Sequence, residues 1–150
     1  MSHVPPGITL QDARAGLAAW FAPWVLDLGF TVEHLEPGLA RCRLPVNPRL
    51  NRIGGLVSGQ ALMALADTTM VFAIASGLSE PRDFATVGQN ATFFRPLIDR
   101  PAISEARVLK PGRTLIFGEI RIFPEDAPRS LAVHATTTYA LAPIRNQGAA

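Results

Sequence analysis

The sequence predicts an α+β domain in which one long buried helix is wrapped by antiparallel strands, and three observations predict it. The stretch from Leu56 to Leu78 (LVSGQALMALADTTMVFAIASGL) is apolar on nearly all faces and carries one charge, Asp67, so it needs cover on every side. After it come four segments rich in Val, Ile, Phe and Thr, separated by breakers, the pattern of a strand meander. A helix that must be covered and strands able to cover it form one layered domain, and 150 residues hold one such domain rather than two.

From the amino terminus, Leu10, Leu17, Trp20, Phe21 and Trp24 fall near helical spacing, and Thr9 with Asp12 makes a helix-starting pair three residues apart. An amphipathic helix is expected over about 9–24, ending near Pro23, with its aromatics packed on the core or on a subunit. Residues 29–36 and 39–44 alternate around Glu36-Pro37-Gly38 and predict a hairpin. Asn47, Pro48 and Asn51 break the second strand and open a loop containing Gly54 and Gly55. The central helix starts after Ser58, whose hydroxyl suits a cap, and ends near Gly77, which suits the left-handed position past a helix end. Strands follow at 84–94, 102–110, 114–123 and 130–141, with turns at Arg95-Pro96, Pro111-Gly112 and Pro124 to Pro128. The core of the domain spans about 29–141, residues 144–150 read as a frayed tail, and there is no internal repeat.

Apolar residues make up 48% of the chain and charged residues 17%, which argues for a compact protein with further surface hidden in an oligomer. The formal charge is +2, and basic residues scattered through the second half, among them Arg95, Arg100, Arg107, Lys110, Arg113, Arg121 and Arg129, form no run. That distribution suits a phosphorylated small molecule and not a groove for nucleic acid. The single Cys42 has no disulfide partner, and His3, His34 and His134 lie far apart, so a metal-free site in a reducing cytoplasm is expected. The first residues lack the charged start, apolar core and cleavage site of a signal peptide. The central stretch has the roughly 20 residues a membrane span needs, but Ser58, Gly59, Gln60, Thr68, Thr69 and Ser76 thin it and no basic anchor flanks it closely. No membrane partner is expected.

Asp67 is the leading catalytic candidate. An unpaired carboxylate in an apolar helix costs several kcal/mol or changes its ionisation, so a chain that keeps one there has a use for it. Gly59 falls in the first turn of the same helix, where backbone N–H groups lack partners and the dipole is positive, so a developing oxyanion could be held there. The two are eight residues apart, about 12 Å of rise on one helix. Two antiparallel copies of the helix would bring one chain's Gly59 to the other's Asp67, which predicts a composite site between subunits. Ser58 is not read as a nucleophile, because Gly-x-Ser-x-Gly is absent and no base is placed beside it.

The order of a loop Asn51, Gly59 opening the helix, Leu-Ala-Asp-Thr (65–68) in its middle, Phe-Phe-Arg-Pro (93–96) closing a strand and a Leu-Lys-Pro-Gly-Arg-Thr turn (109–114) resembles the hot-dog fold acyl-CoA thioesterases of the phenylacetate-pathway (PaaI-like) type. The likeness covers about residues 29–141. It implies a central helix wrapped by a curved antiparallel sheet, pairing into homodimers and homotetramers, and hydrolysis of a small, medium or aryl acyl-CoA with no cofactor beyond the substrate's own coenzyme A. It implies Asp67 as nucleophile or general base, Gly59 as oxyanion-hole glycine, Asn51 as a loop amide orienting acid or substrate, and Thr86 as a strand hydroxyl positioning water. Ser58 could add a hydroxyl hydrogen bond. Coenzyme A would meet Arg95, Lys110, Gly112, Arg113, Thr114 and Gln60, the cationic ones suited to phosphate. Leu56, Met63, Met70, Phe72 and Phe93 are candidates for the acyl pocket. Many of these relatives carry His-Gly-Gly where this chain has Ser58-Gly59-Gln60, so a non-catalytic acyl-CoA or aromatic-ligand binder is the alternative. An enoyl-CoA hydratase ranks last, for want of an Asp and His pair near the helix start.

Overall fold

A computed structural model describes residues 4–144; the predicted tail beyond residue 144 and His3 lie outside them. Six antiparallel strands form one sheet in the order β1-β2-β4-β5-β6-β3, with the long helix on its inner face. The strands are β1 (Thr31–Glu36), β2 (Leu39–Leu44), β3 (Phe84–Phe93), β4 (Ala102–Pro111), β5 (Leu115–Pro124) and β6 (Val133–Leu141). The helices are α1 (Leu10–Trp20), α2 (Pro23–Leu26) and α3 (Gly59–Gly77).

The N-terminal helix does start at the Thr9 cap, where Asp12 N–H donates to Thr9 Oγ1 at 3.2 Å and Thr9 N–H to Asp12 Oδ2 at 2.8 Å. It does not run to residue 24. Phe21 is extended, and Pro23, which has no N–H to continue a helix, opens the separate short α2 instead. Phe21 packs tilted against Phe72 of α3 with centroids 5.4 Å apart, whereas Trp24 stays largely exposed.

The β1–β2 hairpin turns at Gly38, whose φ of +78° is left-handed and so suits glycine. Ser76, near the end of α3, pins this turn: its hydroxyl donates to Glu36 O at 2.8 Å and accepts from Gly38 N–H at 3.2 Å. Gly77 is not the left-handed residue beyond the helix. It is the last helical residue, followed by an extended Leu78, and its lack of a side chain serves close packing, since a Cβ there would lie 3.2 Å from Gly38 N.

Inward-facing residues of the sheet, such as Ala106, Ile120, Ile122, Ala135 and Tyr139, are almost fully buried against α3. Between helix and sheet lies a small polar cluster in which Thr69 Oγ1 is 2.8 Å from Ser104 Oγ, and Ser104 pairs across the ladder with Cys42. The helix is long and apolar enough to cross a membrane, yet two-thirds of it is buried inside the protein, which marks it as a core helix. It is not covered all round. Gln60, Met63, Ala64, Asp67 and Val71, at helical spacing along one stripe, remain half-buried or exposed beside β3. β3 is an edge strand and is itself mostly exposed. The last strand begins at Val133, not at residue 130, because residues 124–130 close a wider turn through Ala127 N–H to Pro124 O and Ser130 N–H to Ala127 O.

Candidate active site

Asp67 sits two turns into α3 on the uncovered stripe. Strand β3 runs back along the helix and places Thr86 beside it, so that Thr86 Oγ1 donates to Asp67 Oδ1 at 2.8 Å. From β6, the next strand in the sheet, Tyr139 donates its phenol to the same Oδ1, with the Asp67 carbonyl oxygen also 3.1 Å away. Burial, then the adjacent Asp67 charge and the hydrogen bond to it, push the Tyr139 phenol far above its ordinary ionisation range. It therefore stays a donor. No hydrogen bond reaches Oδ2 among the described residues.

A bulge between Thr86 and Gly88 turns Val87 outward and returns Gln89 to the inner face. Gln89 Nε2 donates to Met63 O at 3.0 Å, one helical turn before Asp67, and this fixes which way the amide points. Its Oε1 is buried with no hydrogen-bond partner among the described residues. Buried polar atoms are rarely left so.

Gly59 is the first residue of α3. Ser58 caps it by accepting from Ala61 N–H at 3.3 Å, while the N–H of Gly59 finds no acceptor among the described residues. Asn51 is half-buried at this same end: its loop bridges to Val57, and Ser58 N–H donates to Leu50 O at 2.9 Å. Gln60 is exposed on the first turn. A cavity of about 540 Å³ opens here, lined by Leu56, Gly59, Leu62, Phe93, Arg52 and Arg95, among others. Asp67 is not among its lining residues, so a single chain holds Gly59 and its cavity apart from the carboxylate.

The expected coenzyme A residues fall into two groups. Arg95 follows the C-terminal end of β3 and donates to Leu131 O at 3.1 Å. Lys110 near the end of β4 and Gly112, Arg113 and Thr114 in the β4–β5 turn lie beside the other end of the sheet, where Phe84 pairs with Leu141. Ten residues of strand separate these ends, about 30 Å, so one chain cannot close both groups on one phosphate. Gly112 has a local reason to be glycine, since a Cβ would come within 2.3 Å of Leu115 O. The Thr114 carbonyl accepts from Leu141 N–H and the Arg113 carbonyl from Arg82.

Of the expected acyl-pocket residues, Leu56 and Phe93 line the cavity and Met63 lies on the open stripe. Met70 and Phe72 do not belong with them: both are fully buried, Phe72 against Phe21 and Phe30, Met70 against Gly118. His134 pairs with Glu119 at 3.1 Å on the outer face, and His34 with Glu36 at 2.6 Å in the hairpin, so neither joins Asp67. Sequence reasoning missed Tyr139, Gln89 and Arg52. Tyr139 faces inward by strand alternation, a signal that was readable, whereas Gln89 reaches the inner face only through the bulge at Val87, and the pairing of both with α3 depends on the fold.

Residues 54–130 match the family model described as the thioesterase superfamily. A proofreading thioesterase, EntH, of Klebsiella pneumoniae is 34% identical over 107 residues, covering 70% of this chain and 77% of the relative. Among solved structures, zebra fish thioesterase superfamily member 2 superposes with a TM-score of 0.78 at 25% identity, covering 90% of this chain and 99% of that one. The Escherichia coli PaaI protein from the phenylacetic acid degradation operon superposes with a TM-score of 0.71 at 19% identity, covering 87% and 94%. The wrapped-helix architecture is thus the hot-dog fold of these proteins.

Proposed function

The chain belongs to the thioesterase superfamily, and on that premise we propose that it hydrolyses the thioester of a small, medium or aryl acyl-CoA to the free acid and coenzyme A. The observation that carries the reading is the Asp67 carboxylate on the open stripe of an otherwise apolar helix, with two donors on one oxygen and no partner on the other among the described residues. Asp67 either takes a proton from a water that adds to the thioester carbonyl, or attacks it directly to give a mixed anhydride that water then opens. In both routes the carbon–sulfur bond breaks, coenzyme A leaves as a thiol and the acyl group as an acid. The N–H of Gly59 holds the developing oxyanion, and Gln89 Oε1 is an acceptor for a donor on the substrate or the attacking water.

Because Gly59 and Asp67 lie about 12 Å apart along one helix, the working site combines Asp67 of one copy with Gly59, Asn51 and the adjoining cavity of a second. The exposed edge of β3 and the bare stripe of α3 support such pairing, a homodimer that can double to a tetramer. Arg95 from one end of the sheet and Lys110 or Arg113 from the other meet the phosphates of coenzyme A from different copies. The reaction so written needs no metal or further cofactor, and the cytoplasm is the compartment that holds its substrates.

Thiol release from short, medium and aryl acyl-CoA esters, measured on wild type and Asp67→Asn side by side, tests the reading. Turnover by the wild type that falls at least about a thousandfold in the variant is expected; retention of a substantial fraction removes Asp67 from the chemistry. One observation favours a second reading. Ser58, standing where many such relatives carry histidine, accepts Ala61 N–H as the helix cap and has only a neutral hydroxyl to offer a substrate, which does not replace an imidazole. Saturable binding of acyl-CoA without thiol release would establish a ligand-binding protein instead.

A further inference from the structure

We infer that Tyr139 is a positioning residue for the Asp67 carboxylate: together with Thr86 it fixes Oδ1, so that Oδ2 is the oxygen presented to the thioester or to its water. A carboxylate on a short side chain turns about its last torsion with little cost. Here two donors from two different strands converge on one of its oxygens. Thr86 reaches Oδ1 from the edge strand and Tyr139 from the strand beside it, the two residues being register partners across the β3–β6 ladder. The Tyr139 ring is nearly fully buried in the core, which alone keeps the phenol from swinging away, and it lies edge-on to Phe84 at 6.0 Å. The carboxylate is thereby held with one face occupied by protein and the other turned to the open stripe of α3.

Packing alone does not account for the residue. A phenylalanine would fill the same core position, and the hydroxyl is the part that meets Asp67. It also serves the chemistry, since a carboxylate held by fixed donors requires no reorganisation when the reaction begins. A misplacement of about 1 Å at a reacting group can cost about a hundredfold in rate, which sets the scale of effect a positioning hydroxyl has.

The kinetic arm rests on the thioesterase reading and the second arm does not. With an acyl-CoA that the wild type hydrolyses, Tyr139→Phe is expected to lower kcat at least about tenfold with KM within about twofold. Phe84→Leu, which removes the ring contact and leaves the hydroxyl, should keep kcat within about twofold. A folded Tyr139→Phe variant that retains most of the wild-type kcat, or a Phe84→Leu loss as large as that of Tyr139→Phe, overturns the proposal. Tyr139 is the only tyrosine in the chain, so carbon-13 placed at tyrosine Cζ gives a single resonance. That resonance should move in Asp67→Asn and in Thr86→Ala, whether or not any thioester is turned over. An unmoved signal in folded Asp67→Asn overturns the proposal independently, while a moved signal with no turnover by the wild type would uphold the Tyr139–Asp67 contact and overturn its role toward a thioester together with the thioesterase reading.

Discussion

Cys42 shows how residue-scale chemistry follows from position. Fully buried between sheet and α3, its thiol is pushed up to about 12 by burial, with the hydrogen bond to Thr69 lowering it and the Glu33 charge adding a smaller rise. Thiolate is the reactive form, so a thiol reagent near neutral pH is expected to leave Cys42 untouched in the folded protein and to modify it fully after unfolding in denaturant, read by absorbance. Fast labelling of the native chain would mean that this layer opens readily. The same position keeps Cys42 out of assays that detect released coenzyme A. Asp67 was legible in the sequence for an energetic reason, a lone charge in an apolar run, whereas Tyr139 was not. A tyrosine on a β-rich segment looks like any core aromatic until the strand order brings it beside the helix.

Elements were readable where a local signal decides them. The Thr9–Asp12 cap, the Gly38 turn and the Ser58 start all rest on chemistry within a few residues, and all stand in the structure. The end of α1 and the role of Gly77 did not follow from local signals: a proline opened a new helical turn, and a contact with the distant hairpin explains the glycine. Thr9→Ala is expected to cost about 1 kcal/mol in urea unfolding near neutrality through loss of the cap. The backbone and then the side chain of Thr9, both donating to it, hold the Asp12 carboxyl below its ordinary range. A folded-state value below the unfolded one means a contribution present above the unfolded value and lost as pH falls through the folded one. The melting temperatures of wild type and Asp12→Asn should therefore differ near neutrality and converge in acid.

At the scale of the whole molecule, the separation of Gly59 from Asp67 makes the site testable by mixing. Proline is accepted at the first position of a helix and lacks an N–H, so Gly59→Pro removes the donor with little cost to α3. Gly59→Pro and Asp67→Asn should each be inactive alone. Refolded together in equal amounts, half of the dimers are mixed and each has one intact site, so about a quarter of wild-type turnover should return; none would return if each chain carried a complete site. Which surfaces pair was only partly legible, since composition signals hidden area without saying where, and the bare stripe emerges only once the sheet has covered the rest of the helix. The apolar character of α3 carries a different consequence. On the ribosome the helix is complete at residue 77, but the strands that shield it end at residue 141. At about 5–20 residues per second it stays partly uncovered for several seconds, an apolar helix with the length of a membrane span still lacking its cover. Apolar surface exposed in this way is what chaperones cover, so synthesis of this chain is expected to lean on them until its last strands emerge.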